Sequence, residues 1–157
     1  MNTKKISRYV AFFHDGEILK ILHKEDSILL ILKSAEISEN MQQDFILSKD
    51  HRLVGILHLD KVSSIIEDNN PLLKTMHLKL PENDILHLEI LPDKVLCEIG
   101  WRGFLSQQDY SSYEITAQSI RWENIPNLQD PFSIRKYAPF FHDGSYLALQ
   151  CKKALFL

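Results

Sequence analysis

The sequence predicts an all-β fold: an antiparallel sandwich or half-open barrel with at most one or two short helices, one α+β variant of that class. Three observations carry this expectation. Strand-sized apolar runs recur at 17–23, 27–33, 52–60, 74–80, 85–90, 94–101 and 111–123, with charged or turn-forming residues between them. Leu91-Pro92-Asp93-Lys94 places Pro at the second position of a turn, where its fixed φ suits. Pairing Leu91 with Lys94 then sets Leu86, Leu88 and Ile90 against Ile99, Cys97 and Val95, with His87 opposite Glu98 on the other face. A one-residue slip would break that apolar face, so the register is specified.

The elements follow in chain order. Asp15-Gly16 is a strong hairpin signal, because a type I′ turn needs positive φ at both central residues. Pairing His14 with Glu17 would set Phe13 against Ile18 and Phe12 against Leu19. The runs within 17–33 are Leu-rich at consecutive positions, which leaves a helical reading open there. Ser38 can cap a short helix over 38–45. Around Pro81-Glu82-Asn83-Asp84, Met76, Leu78 and Leu80 must share a face with Leu86, Leu88 and Ile90. Two registers satisfy this, one placing His77 opposite Glu89 and the other opposite His87. Residues 100–112 form the longest polar, glycine-bearing loop, the kind of segment in which binding often resides.

An internal repeat divides the chain. Tyr9–Gly16 returns as Tyr137–Gly144, an offset of 128, with FFHDG identical in both. Residues 1–130 are therefore expected to form a single β-rich domain, and 131–157 a partial repeat of 3–29. That partial copy carries Tyr146, Leu147, Leu149, Leu155 and Phe156, too apolar to leave in water. It is expected to dock on a sheet edge, of its own molecule or, in a homodimer, of a second one.

Composition sets the function classes. The 157 residues are 45% hydrophobic and 25% charged, a globular balance for one domain. The net charge is −3, with both signs scattered, which argues against a nucleic-acid partner. Five glycines, none in a G-x-G-x-x-G or P-loop spacing, exclude the common phosphate cradles. Cys97 and Cys151 form no C-x-x-C pair and read as reduced thiols. No signal peptide or membrane span is read, so a cytoplasmic protein with no membrane partner is expected.

Three constellations are candidates for chemistry. His14, Asp15, His142 and Asp143 could supply two His and two Asp to a metal, although a turn accounts for each Asp-Gly. Hydrolases of the HD type carry adjacent His-Asp on helices, a context missing here. His58, His77 and His87 each precede a Leu and then a charged residue, and alternation puts them on the wetter face of a sheet. Cross-strand carboxylates such as Glu98 are their ordinary partners. Trp101, Arg102, Phe104, Tyr110 and Trp122 have the residue types that anchor protein interfaces. Trp101 continues the inward face of Val95, Cys97 and Ile99, a core position.

The segment F-H-D-G-E-I-L-K-I, followed by S-I-L-L-I-L-K-S-A-E-I, resembles the start of small, uncharacterised bacterial β-rich proteins. Some of these are similar to immunity proteins of bacterial toxin systems. The likeness covers mainly 12–37 and the closing Ser119–Pro126 pattern. It implies a cytoplasmic, non-enzymatic protein that binds a protein partner, a toxin in the immunity case, with no cofactor and no catalytic residue to carry over. The alternatives are a metal-dependent hydrolase using the repeated His-Asp pairs and a structural subunit that assembles through edge strands.

Overall fold

The computed structural model describes residues 3–38, 44–72, 75–102 and 108–128. The expected helix over 38–45 falls largely on residues outside these, and the second FFHDG copy, with all of 131–157, lies wholly outside them.

The fold is all-β. One antiparallel sheet contains β1 (Glu17–Lys24), β2 (Ser27–Glu36), β3 (Arg52–Glu67), β4 (Asn70–Leu72), β5 (Asn83–Ile90), β6 (Lys94–Arg102) and β7 (Gln108–Asn124). The order is β1-β2-β3-β7-β6-β5, with β4 also on β3. Strands β3 and β7, of 16 and 17 residues, pair from Gly55–Asn124 to Glu67–Tyr113 and form the spine. The first half of β3 serves β2 and its second half serves β4. The change of partner falls at Lys61, which has φ 51°, and the next N–H, from Val62, donates to Asp26 O at 2.8 Å. Asp68 and Asn69, with φ 50° and 67°, make the tight turn into β4, as two positive-φ residues in a two-residue hairpin should.

The ladder path is open between β1 and β5, yet their ends meet. Asp15 N–H donates to Ile85 O at 2.9 Å, and Ile85 N–H to Gly16 O at 2.8 Å. Asn83, buried, then acts as a substitute strand: its Nδ2 donates to Ile18 O at 2.9 Å and its Oδ1 accepts from Ile18 N–H at 2.8 Å. A buried amide satisfied on both sides joins the edges without a continuous ladder.

The expected β5–β6 register holds from Ile90–Val95 through Leu88–Cys97 to His87–Glu98, closed by Leu91 N–H to Lys94 O at 2.8 Å. A bulge between Ile85 and His87 then shifts it, so Ile85 rather than Leu86 faces Ile99 and enters the core. Residues 75–80 do not form the expected strand, so neither proposed register of His77 applies. The side of β5 where such a strand would pair is taken by Asp15–Ile18. Met76 is nevertheless buried in the core.

Two other departures have clear physical causes. The run 9–13 is helical, with α1 over Thr3–Ser7 and a 3-10 turn over Val10–Phe13 in place of a hairpin strand. Ile6, Tyr9 and Phe13, spaced three and four apart, are all buried, which is helical periodicity. Strand β2, in contrast, is buried at five consecutive positions, Ile28–Leu32. Ile28, Leu30 and Leu32 face the main core; Leu29 and Ile31 join Leu22 and Ile56 in a second cluster. A strand covered on both faces loses its period of two, which is why its sequence also admitted a helix.

Both tryptophans are core residues, each 1% exposed. Trp101 donates through Nε1 to Ser111 Oγ at 2.8 Å, and Trp122 meets Phe13 edge-on with centroids 5.8 Å apart. Trp122 also lies over Gly55, where a Cβ would come within 2.5 Å of Cζ2 and 2.2 Å of Glu123 O. The glycine is required by this close approach. We predict that Gly55→Ala costs about 3 kcal/mol, from overpacking against backbone as well as a ring. Urea unfolding of the two proteins checks this; an unchanged midpoint would contradict the packing described.

Candidate functional site

The FHDG segment explains itself once its neighbours are in place. Asp15 has φ 65°. Gly16 N–H donates to Phe13 O at 2.8 Å, and a Cβ on Gly16 would sit 2.3 Å from Lys33 O. Asp-Gly therefore serves one positive-φ residue and one close backbone approach, not the expected hairpin turn. His14, which a turn alone leaves unexplained, has Nδ1 2.8 Å from Leu86 O, at the β5 bulge. Together these residues tie the start of β1 to β5.

A cleft of about 380 Å³ opens beside this tie. Asp15, Glu17, Glu82 and Asp84 place four carboxylates around it, with Arg52 and Arg102 as its cations. Both arginines are engaged. Arg102 grips Asp84 through two hydrogen bonds, Nε to Oδ2 at 2.7 Å and Nη2 to Oδ1, and this carboxylate raises the guanidinium further above its usual range. Arg52 donates to Ser34 O at 3.2 Å, and its Nε lies 3.0 Å from Asp50 Oδ2. The Asp50 carboxyl is held below its usual range, first by the Ser48 hydroxyl and also by Lys33 and Arg52. Glu17 and Glu82 form no ion pair among the described residues, so the cleft presents net negative charge. Its walls are the starts of β1, β3 and β5, the ends of β2 and β6, and the segments just before β1 and β5.

The sequence candidates distribute unevenly. Arg102 lines the cleft and Asp15 forms its rim. Tyr110 is exposed at 54%, the start of β7. Trp101 and Trp122 are buried and cannot contact a partner, a correction to their place among the binding candidates. Phe104, His142, Asp143 and Cys151 lie outside the described residues. His14 and Asp15 are both largely exposed, with Nε2 and Oδ1 3.7 Å apart. The three strand histidines do not converge. His58 is buried on β3 beside Arg121, His77 lies against His23 with tilted rings and centroids 5.6 Å apart, and His87 on β5 is separated from β3 by two intervening strands. Among the described residues, no group of three His, Cys, Asp or Glu side chains is placed to hold a metal. Burial pushes the Cys97 thiol up to about 12, so it packs as a protonated, small apolar group.

Comparison with protein-family models, curated proteins and solved structures finds no match. No described helix is long and apolar enough to cross a membrane.

Sequence reading missed Glu17, Glu82, Asp84 and Arg52 as a group. Glu82 and Asp84 stood in an ordinary turn, and Arg52 is 18 residues from Ser34, whose carbonyl holds it. Only the β1–β5 closure brings them to one opening. That closure gives a prediction at Asp15, whose side chain is 74% exposed, so substitution there tests backbone conformation alone. Asp15→Ala should lower stability by about 1 kcal/mol, and Asp15→Gly should not, because only Ala resists positive φ. Thermal melts of the pair check this; equal losses would show that the carboxylate, not the conformation, matters.

Proposed function

We propose that this chain is a non-enzymatic protein-binding domain of the immunity type, which neutralises a toxin by presenting the acidic cleft to a basic surface around the toxin's site. The carrying observation is the cleft itself: four carboxylates on strand ends and a tight turn, with the two arginines already occupied. A rigid acidic surface favours a cationic partner and speeds its encounter through long-range attraction. Arg102, held flat by Asp84, adds a guanidinium of the type enriched at interface hot spots. The resemblance of 12–37 and 119–126 to immunity-like proteins points the same way.

The test is co-expression with the polypeptide encoded beside its gene, followed by titration of the purified pair. The expected result is a 1:1 complex, weakened about 100-fold or more by Glu17→Lys with Glu82→Lys, and by added salt. The double variant should melt like the parent, because neither glutamate is part of the core. Binding indifferent to the charge reversal would contradict the cleft as the interface. Hydrolytic activity lost in His14→Ala would replace this reading with the enzymatic one.

A further inference from the structure

The strands of this fold are not joined with equal strength. Among the described residues, each of the pairings β1–β2, β2–β3, β3–β7, β5–β6 and β6–β7 runs over seven or more aligned residue pairs. The meeting of β1 with β5 is made by His14–Ile18 and Asn83–Leu86. It consists of two backbone hydrogen bonds between Asp15, Gly16 and Ile85, two more from the Asn83 amide to the Ile18 backbone, and His14 on Leu86 O. The His14 contact is exposed to water, whereas Asn83 is buried, as are Ile18 and Ile85 beside it. A seam held by so few groups opens locally at lower free energy than the sheet around it.

Charge opposes the closure. Asp15 and Glu17 stand on the β1 side of the cleft, and Glu82 and Asp84 on the β5 side. Arg102 is committed to Asp84, and Arg52 to Asp50. Asp84 first, and then Glu82 and Glu17, raise the Arg102 guanidinium, so glutamates from both sides of the seam act on one cation. Closing the seam therefore gathers more negative charge than that guanidinium offsets, and opening separates it. A cation seated between the two sides removes this repulsion.

We propose that the β1–β5 seam is a latch set by charge: it opens and closes as one unit, the carboxylates across it favour opening, and a cationic side chain in the cleft holds it shut. Its use in partner binding rests on the functional reading above, while the latch itself belongs to the free protein. A cationic partner that meets both sides of the cleft binds the closed seam better than the open one, and shifts the population by that difference. Asn83 is then a positioning residue, acting on the cleft through the Ile18 backbone.

The test follows amide hydrogen exchange by NMR in the full chain. The amides of Asp15, Ile18 and Ile85 should share one opening, at lower free energy than those of β3 and β7. Glu17→Gln with Glu82→Gln should slow all three by about fivefold, and a hexa-arginine peptide should slow them in the parent beyond NaCl of equal ionic strength. Asn83→Ser should speed all three by about tenfold, although the Asn83 amide bonds Ile18 alone. Faster exchange at Ile18 only would show independent bonds and overturn the proposal. Three amides unmoved by the two glutamines would overturn it as well; that variant changes no core side chain and decides the matter if Asn83→Ser does not fold. A seam that answers to charge in a protein whose partner ignores the cleft would support the latch and overturn the functional reading alone.

Discussion

The long pairing of β3 with β7 is the constraint on which the other elements depend. Eleven aligned pairs run from Gly55–Asn124 to Glu67–Tyr113, and every other strand attaches to this pair directly or through one intervening strand. Strands β2 and β4 divide β3 between them, and β6 carries β5 from β7. The pairing is tight enough at one end for an indole to lie on backbone, with Gly55 under Trp122 and Phe13 against that ring. The helical start of the chain is therefore anchored to the spine before β1 begins.

The second constraint is the closure of β1 on β5. It uses few groups: two backbone hydrogen bonds at Asp15–Gly16, the pair of hydrogen bonds between the Asn83 amide and the Ile18 backbone, and His14 on the carbonyl of Leu86. The bulge at Leu86 belongs to the same arrangement, because it turns Ile85 inward and leaves the Leu86 carbonyl for His14. The functional proposal rests on this closure, which brings Glu17 from β1 beside Glu82 and Asp84 near β5. The carboxylates belong to different parts of the chain and share an opening only because the edges meet.

Much of the fold was legible in the sequence, and the exceptions are instructive. Six of the seven expected runs became strands, and the β5–β6 register followed from one proline turn and an apolar face. The bulge at Leu86 was not legible, since Ile85 and Leu86 are equally apolar and only the closure with His14 selects between them. The helical start was legible in principle from the spacing of Ile6, Tyr9 and Phe13, but the hairpin signal of Asp15-Gly16 outweighed it. That dipeptide was correctly read as demanding unusual backbone and wrongly assigned to a hairpin, because Gly16 answers to Lys33 O, a contact 17 residues distant. Of the site, Arg102 and Asp15 were identifiable by type. The acidic cleft was not, because charge clusters built from separate strands leave no local pattern. The aromatic residues show the same limit: Trp101 and Trp122 have interface chemistry, and burial decides against that role.

Hydrogen exchange resolved by residue tests the central claim most directly, that the β3–β7 pairing holds the rest of the fold. The ladder amides of β3 and β7 around Leu57–Leu59 and Ile120–Trp122 should exchange slowest of all, through global unfolding alone, with those of β1 and β5 opening at lower free energy. If the amides of β1 or β5 outlast those of β3 and β7, the spine has been assigned to the wrong pair of strands.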